Sequence, residues 1–240
     1  MEGYALGFDF DHTLGVDNLL ERTVALELLA EYARERGAAY DSADAGRAVD
    51  AALERTRTGG VPIEAALAGF FDLFVPASVG ETGFDAASDF RERALARAPD
   101  FVRPLPGLAT LFAWLDRVRI PRALLTNGWS PLQEEKARLI AFAGPVLVSE
   151  RIGARKPARE AFAHLVELLR MPPERIYYVG DDPLLDCAGA REAGLRAVWF
   201  DRGERPFPPD LPSPDLIVRA LEELPDALQG HATQAANRAG

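Results

Sequence analysis

Tyr4-Ala5-Leu6-Gly7-Phe8-Asp9-Phe10-Asp11-His12-Thr13-Leu14 decides the fold. The run from Tyr4 to Phe10 is short and mostly apolar, as expected of a strand buried on both faces of a parallel sheet. It ends on two carboxylates, Asp9 and Asp11. Like charges placed so close beyond a buried strand repel and call for a cation.

Working outward, the pattern changes at once to helix. Asn18, with Glu21 three residues on, has the form of a capping box. Ala25, Leu28, Leu29 and Tyr32 then recur at helical spacing, and Gly37 stops the run. A second helix is expected over Ser42–Arg57. A third carries Ile63, Ala66, Leu67, Phe70, Phe71 and Phe74 on one face, between Pro62 and Pro76. A fourth runs near Asp85–Ala98, with Pro99 beyond it. After residue 100, apolar runs at Ala123–Leu125, Pro145–Val148, Ile176–Val179 and Ala197–Phe200 alternate with helical stretches, and Leu216–Val218 adds an edge strand. This alternation implies right-handed crossovers and an α/β, Rossmann-like, doubly wound parallel sheet. The predicted organisation is a core of residues 1–15 and 101–230, an inserted four-helix cap domain of residues 16–100, and a frayed tail at 231–240.

Composition narrows the function. The 240 residues are 48% hydrophobic and 27% charged, in the globular range, which excludes fibrous or wholly disordered chains. A formal net charge of −10, with no basic run, argues against a nucleic acid polymer as partner. The single Cys187 rules out a disulfide framework, and no apolar run is long enough to span a membrane. Met1-Glu2-Gly3-Tyr4 does not read as a secretory leader, so a cytoplasmic location is expected. Lysine stands only at 136 and 156 among 27 basic residues, which singles out both. Lys136 is expected on a solvated helix face.

In open α/β sheets, ligands bind beyond the carboxyl ends of the strands. Those ends carry Asp9 and Asp11, then Thr126-Asn127-Gly128, then Lys156-Pro157, then Gly180-Asp181-Asp182 and Asp186. Carboxylates, a hydroxyl, an amide and an ammonium suit a hard cation and a phosphoryl group. Together these residues resemble the four motifs of the haloacid dehalogenase-like (HAD) hydrolase superfamily. Asp9-Phe10-Asp11-His12-Thr13 resembles its D-x-D-x-T motif, Thr126 its second motif and Lys156 its third. Gly180 to Asp186 resembles its fourth, and Gly189-Ala190-Arg191-Glu192-Ala193-Gly194 what usually follows. The resemblance implies strand order 5-4-1-2-3 and a helical cap typical of members acting on small molecules.

The chemistry expected from such a set is phosphate monoester hydrolysis. Asp9 attacks phosphorus and forms an aspartyl-phosphate. Asp11 protonates the leaving oxygen and then takes a proton from water. Asp9, the Asp11 backbone carbonyl and Asp181 are the expected Mg²⁺ ligands. Thr126 and the Asn127 N–H face phosphoryl oxygens, and Lys156 adds a positive charge. Asp186 supports Lys156 or a metal-bound water, with Asp182 in a similar supporting place. A dehalogenase expels a halide, which needs no proton, so Asp11 favours the phosphatase. A phosphomutase needs the same acid pair and is the alternative. From a different class, a phospho-receiver-like or catalytically inactive interaction module is also considered. Cys187, His12, His164, Phe70, Phe71, Phe74 and Trp129 read as structural or solvated. The partner is a small phosphorylated metabolite. Sugar phosphates, nucleoside monophosphates and phosphoglycolate-like acids all fit.

Overall fold

The computed structural model describes residues 3–75 and 83–238, with the backbone alone at 59, 83–85 and 232–238. Pro76, expected to bound the third helix, lies outside the described residues. The chain forms two compact units. One comprises residues 1–16, 103–126 and 140–240, and the other residues 17–102 and 127–139.

The first unit opens with β1 (Ala5–Phe8), which is fully buried. The Asp9 N–H still reaches the Val179 carbonyl at 2.9 Å, so the ladder extends one residue past the strand. A short antiparallel ribbon, β2 (Gly15–Val16) with β3 (Arg103–Pro104), follows the first turn. It is too short to leave a period-two pattern in the sequence.

The second unit begins with α1 (Leu20–Arg36), α2 (Ser42–Gly59), α3 (Ile63–Phe74) and α4 (Gly83–Phe101). Asn18 does not cap α1. It adopts a left-handed φ of 48°, and its side-chain amide instead donates to the Phe101 carbonyl at 2.6 Å. Nor does Pro99 lie outside α4; it sits inside the last turn. There a proline removes one backbone bond and the helix runs on for two residues. Phe70, Phe71 and Phe74 stack among themselves and against Tyr32 and Tyr40.

The rest of the core alternates as expected, through α5 (Leu108–Val118), β4 (Arg122–Thr126), β5 (Val146–Val148), α7 (Ser149–Ile152), α8 (Arg159–Leu169), β6 (Ile176–Gly180), α9 (Gly189–Glu192), β7 (Arg196–Phe200) and β8 (Leu216–Val218). Between β4 and β5 lies α6 (Leu132–Leu139), which on sequence alone falls in the α/β core. In the structure it groups with the helical unit. Lys136, on α6, corrects another expectation. It is 1% exposed and its ammonium lies 3.0 Å from Asp17 Oδ2, a buried ion pair rather than a solvated charge. An amphipathic lysine stem accepts burial when its head finds a carboxylate.

The six core strands lie parallel in the order β5-β4-β1-β6-β7-β8. Renumbered within the sheet and read from the far edge, this is the expected 5-4-1-2-3 with the Leu216–Val218 strand added beyond the fifth. Ala161, Phe162 and Leu165 of α8 pack on one face with Ala5, Leu125, Tyr178 and Trp199. On the other face Phe8 meets Phe142, and Tyr177 meets His231 of α10 (Leu224–Arg238). Of the expected frayed tail, residues 231–238 are helical, and 239 and 240 lie outside the described residues. Its polar composition hid a His231–Tyr177 bond of 2.9 Å. No helix among the described residues is long and apolar enough to cross a membrane.

Candidate active site

Strands β4, β1 and β6 are neighbours and parallel. Thr126, Asp9 and Asp181 therefore leave the sheet side by side at its carboxyl edge. Thr126 is buried, and Asn127 is half-buried as the first residue of the segment that groups with the helices. Beyond Asp9 the chain folds over the Phe10 carbonyl, which accepts from the N–H groups of Thr13, Leu14 and Gly15 at 3.2, 2.9 and 3.1 Å. His12 takes the left-handed region that this turn needs, so its place is conformational. Asp11 stands half-buried at the mouth of the turn.

Lys156 enters from the α7–α8 loop and is 4% exposed. Its Nζ lies 2.5 Å from Asp9 Oδ1, 2.7 Å from Asp186 Oδ1 and 3.0 Å from the Tyr178 phenol oxygen. Asp186 also accepts from the Asp182 N–H at 3.0 Å. Asp182 shapes the turn that presents these acids. Its side chain accepts from the Leu184 and Leu185 N–H groups at 2.8 and 2.9 Å and meets Arg205 at 3.2 Å. The chain then runs as a wide π turn over Pro183–Ala188 into α9.

Gly180 lets Asp186 reach the lysine. A Cβ at residue 180 would stand 2.3 Å from the Asp186 carboxyl carbon. Gly180→Ala should displace Asp186, lower turnover and destabilise the fold by about 1–3 kcal/mol. Urea unfolding and kcat check this, and a variant equal to wild type in both would refute the packing argument.

One carboxylate oxygen from each of Asp9, Asp181 and Asp186 falls within a 4.8 Å cluster. Burial lifts the Asp9 carboxyl to about 6, against the opposing pull of Lys156. Burial, with the charges of Asp9 and Asp186, lifts Asp181 to about 8. Burial alone would lower the Lys156 ammonium, but Asp186 and Asp9 hold it well above the usual lysine value. Three acids thus face one fixed ammonium, leaving two negative charges when all are ionised. A hard divalent cation with oxygen preference matches that donor set. Both Asp186 oxygens accept protein hydrogen bonds, from Lys156 and from the Asp182 N–H.

Three residues near the site were not singled out by the sequence. Tyr178 lies on the same face of β6 as Gly180. Trp199 Nε1 donates to the Asp181 carbonyl at 3.0 Å, and Arg202 stands 3.9 Å from Asp181 Oδ2. The available signal was the Tyr177-Tyr178 pair, because one of two consecutive strand tyrosines must bury its hydroxyl and find it a partner. Cys187 is packed in the core. Trp129 is 2% exposed, and its indole donates to Glu21 Oε1 at 2.7 Å within the helical unit.

The haloacid dehalogenase-like hydrolase family matches residues 5–194, and the chain belongs to it. It is a hydrolase. It is 38% identical to a phosphoserine phosphatase of Thermus thermophilus, over 74% of this chain and 73% of that one. Its fold resembles the magnesium-bound HAD-hydrolase YfnB of Bacillus subtilis, with TM-score 0.68 at 23% identity, covering 95% and 99% of the two chains. It also resembles a 2-haloacid dehalogenase of Pseudomonas syringae, with TM-score 0.72 at 22% identity over 95% and 98%. Architecture alone therefore does not separate the two chemistries, and the site must.

Proposed function

We propose that the chain is a magnesium-dependent phosphatase that hydrolyses a small phosphate monoester through an aspartyl-phosphate on Asp9. The observation that carries this is the clamp of Lys156 on Asp9 and Asp186 beside Asp181. Lys156 holds one Asp9 oxygen and leaves the other to attack phosphorus in line. Asp11 donates the proton that an alkoxide leaving group requires, then accepts one from the hydrolytic water. A halide would need no such acid. The Thr126 hydroxyl and the Asn127 N–H stabilise charge on the transferring oxygens. Mg²⁺ held by Asp9, Asp181 and the Asp11 carbonyl would supply charge neutralisation and orient the phosphoryl group.

Phosphoserine is the first ester to test, given the Thermus relative. The helical unit also contains a cavity of about 440 Å³ whose lining mixes Glu21, Glu54, Arg22 and Arg57 with Leu19, Ala51 and Leu53. The buried lone cysteine accords with a cytoplasmic location. A panel of phosphate monoesters with Mg²⁺, read as released phosphate, tests the reading. Activity that survives EDTA undiminished would defeat it.

A pH dependence follows. In the metal-free protein Asp9 titrates at about 6 and Asp181 at about 8, so at neutral pH Asp181 holds its proton. Cation uptake must release that proton. Mg²⁺ affinity should therefore rise with pH through that interval and level off above it. Calorimetry in two buffers of different ionisation enthalpy measures the release, and an affinity independent of pH would contradict the assignment.

A further inference from the structure

We propose that Tyr178 is a positioning residue for the reaction: its phenol oxygen is the fixed third acceptor that sets the Lys156 ammonium between Asp9 and Asp186. This rests on the phosphatase reading above. A lysine ammonium has three donors. Two meet carboxylates, and those two distances alone leave the nitrogen free to swing on a circle. The third meets Tyr178 Oη at 3.0 Å. The phenol is itself oriented, because its hydrogen goes to the Leu125 carbonyl at 2.7 Å. A lone pair is thereby turned to the lysine. Leu125 sits within β4, one residue before Thr126, and its strand is paired on both sides. The ammonium is thus referenced to the sheet that carries Asp9 and Thr126.

The surroundings hold the ring in place. Tyr178 is 1% exposed and stacks edge-on with Phe162 at 5.1 Å between centroids. Residue 7 has to be glycine for the ring to fit, since a Cβ there would stand 2.7 Å from Tyr178 Cδ2 and 2.5 Å from Leu165 Cδ2. Phenylalanine would keep the shape and the stacking and lose only the oxygen.

The test is a cycle of Tyr178→Phe, Lys156→Met and the double variant, assayed with p-nitrophenyl phosphate and Mg²⁺. Tyr178→Phe should lower kcat about tenfold, which is ~1.4 kcal/mol in the barrier, with KM changed less than about twofold. In the Lys156→Met background the same substitution should cost nothing further, since its effect passes through the lysine. A purely structural tyrosine would lower the melting temperature and cost the same factor in both backgrounds. That outcome, or a wild-type kcat in Tyr178→Phe, overturns the proposal. If Lys156→Met alone leaves turnover unchanged, the fault lies in the underlying reading and the proposal falls with it. Should Tyr178→Phe fail to fold, 3-fluorotyrosine placed at 178 weakens the acceptor in nearly the same volume. It should lower kcat by a smaller factor at constant KM, and an unchanged kcat would again overturn the proposal.

Discussion

Asp9→Asn should abolish turnover, by about ten-thousandfold or more, while the protein stays folded. An amide of the same shape cannot attack phosphorus, so the variant removes the nucleophile and not merely a contact. The corresponding barrier is on the order of 5.5 kcal/mol. Stability should move the other way. Asp9 is buried and its carboxyl is raised to about 6, so its ionised form is disfavoured in the metal-free fold at neutral pH. Replacing it with a neutral amide removes that desolvation cost. The metal-free variant should therefore melt no lower than wild type. A variant that retains measurable steady turnover of a good substrate would show that Asp9 is not the nucleophile.

The second large effect is at Lys156. Its Nζ sits among three acceptors at 2.5–3.0 Å in a closed space. A guanidinium is planar and broader, and its fork cannot meet a three-pointed arrangement. Lys156→Arg should keep the charge and still lower kcat at least about tenfold. Lys156→Ala should be worse and unstable as well, because Asp9 and Asp186 would be left buried without a counter-charge, at about 3–5 kcal/mol. Lys136→Arg is no neutral control, given the buried pair with Asp17. Arg138→Lys, on an exposed position paired with Glu135, serves instead and should be silent. Equal kinetics for Lys156→Arg and Arg138→Lys would reduce Lys156 to an ordinary charge.

Much of this was legible because buried parallel strands are written as short apolar runs, and each run here stops on a polar residue that the sheet then places. Asp9, Thr126 and Asp181 needed only the strand order to become neighbours. Lys156 and Asp186 needed more, since their approach depends on loop paths and on the open side of Gly180. What stayed hidden were long-range side-chain choices. Asn18 had a good local capping pattern but was drawn to Phe101, and Lys136 looked solvated until Asp17 met it. Tyr178 was hidden for a similar reason: its hydroxyl is bonded across strands rather than along its own. Local pattern carries no record of such partners, and tertiary contacts override propensity where they exist.

A covalent phosphoryl group on Asp9 can be observed directly. Asp11→Asn should slow hydrolysis of the intermediate, because no group then takes the proton from water. Incubated with Mg²⁺ and a substrate whose leaving group is already a good one, such as p-nitrophenyl phosphate, this variant should gain the mass of one phosphoryl group. The label should be hydroxylamine-sensitive and map to the peptide carrying Asp9. Phosphate released at the wild-type rate from a protein that never carries the label, or a label on another residue, would contradict the account.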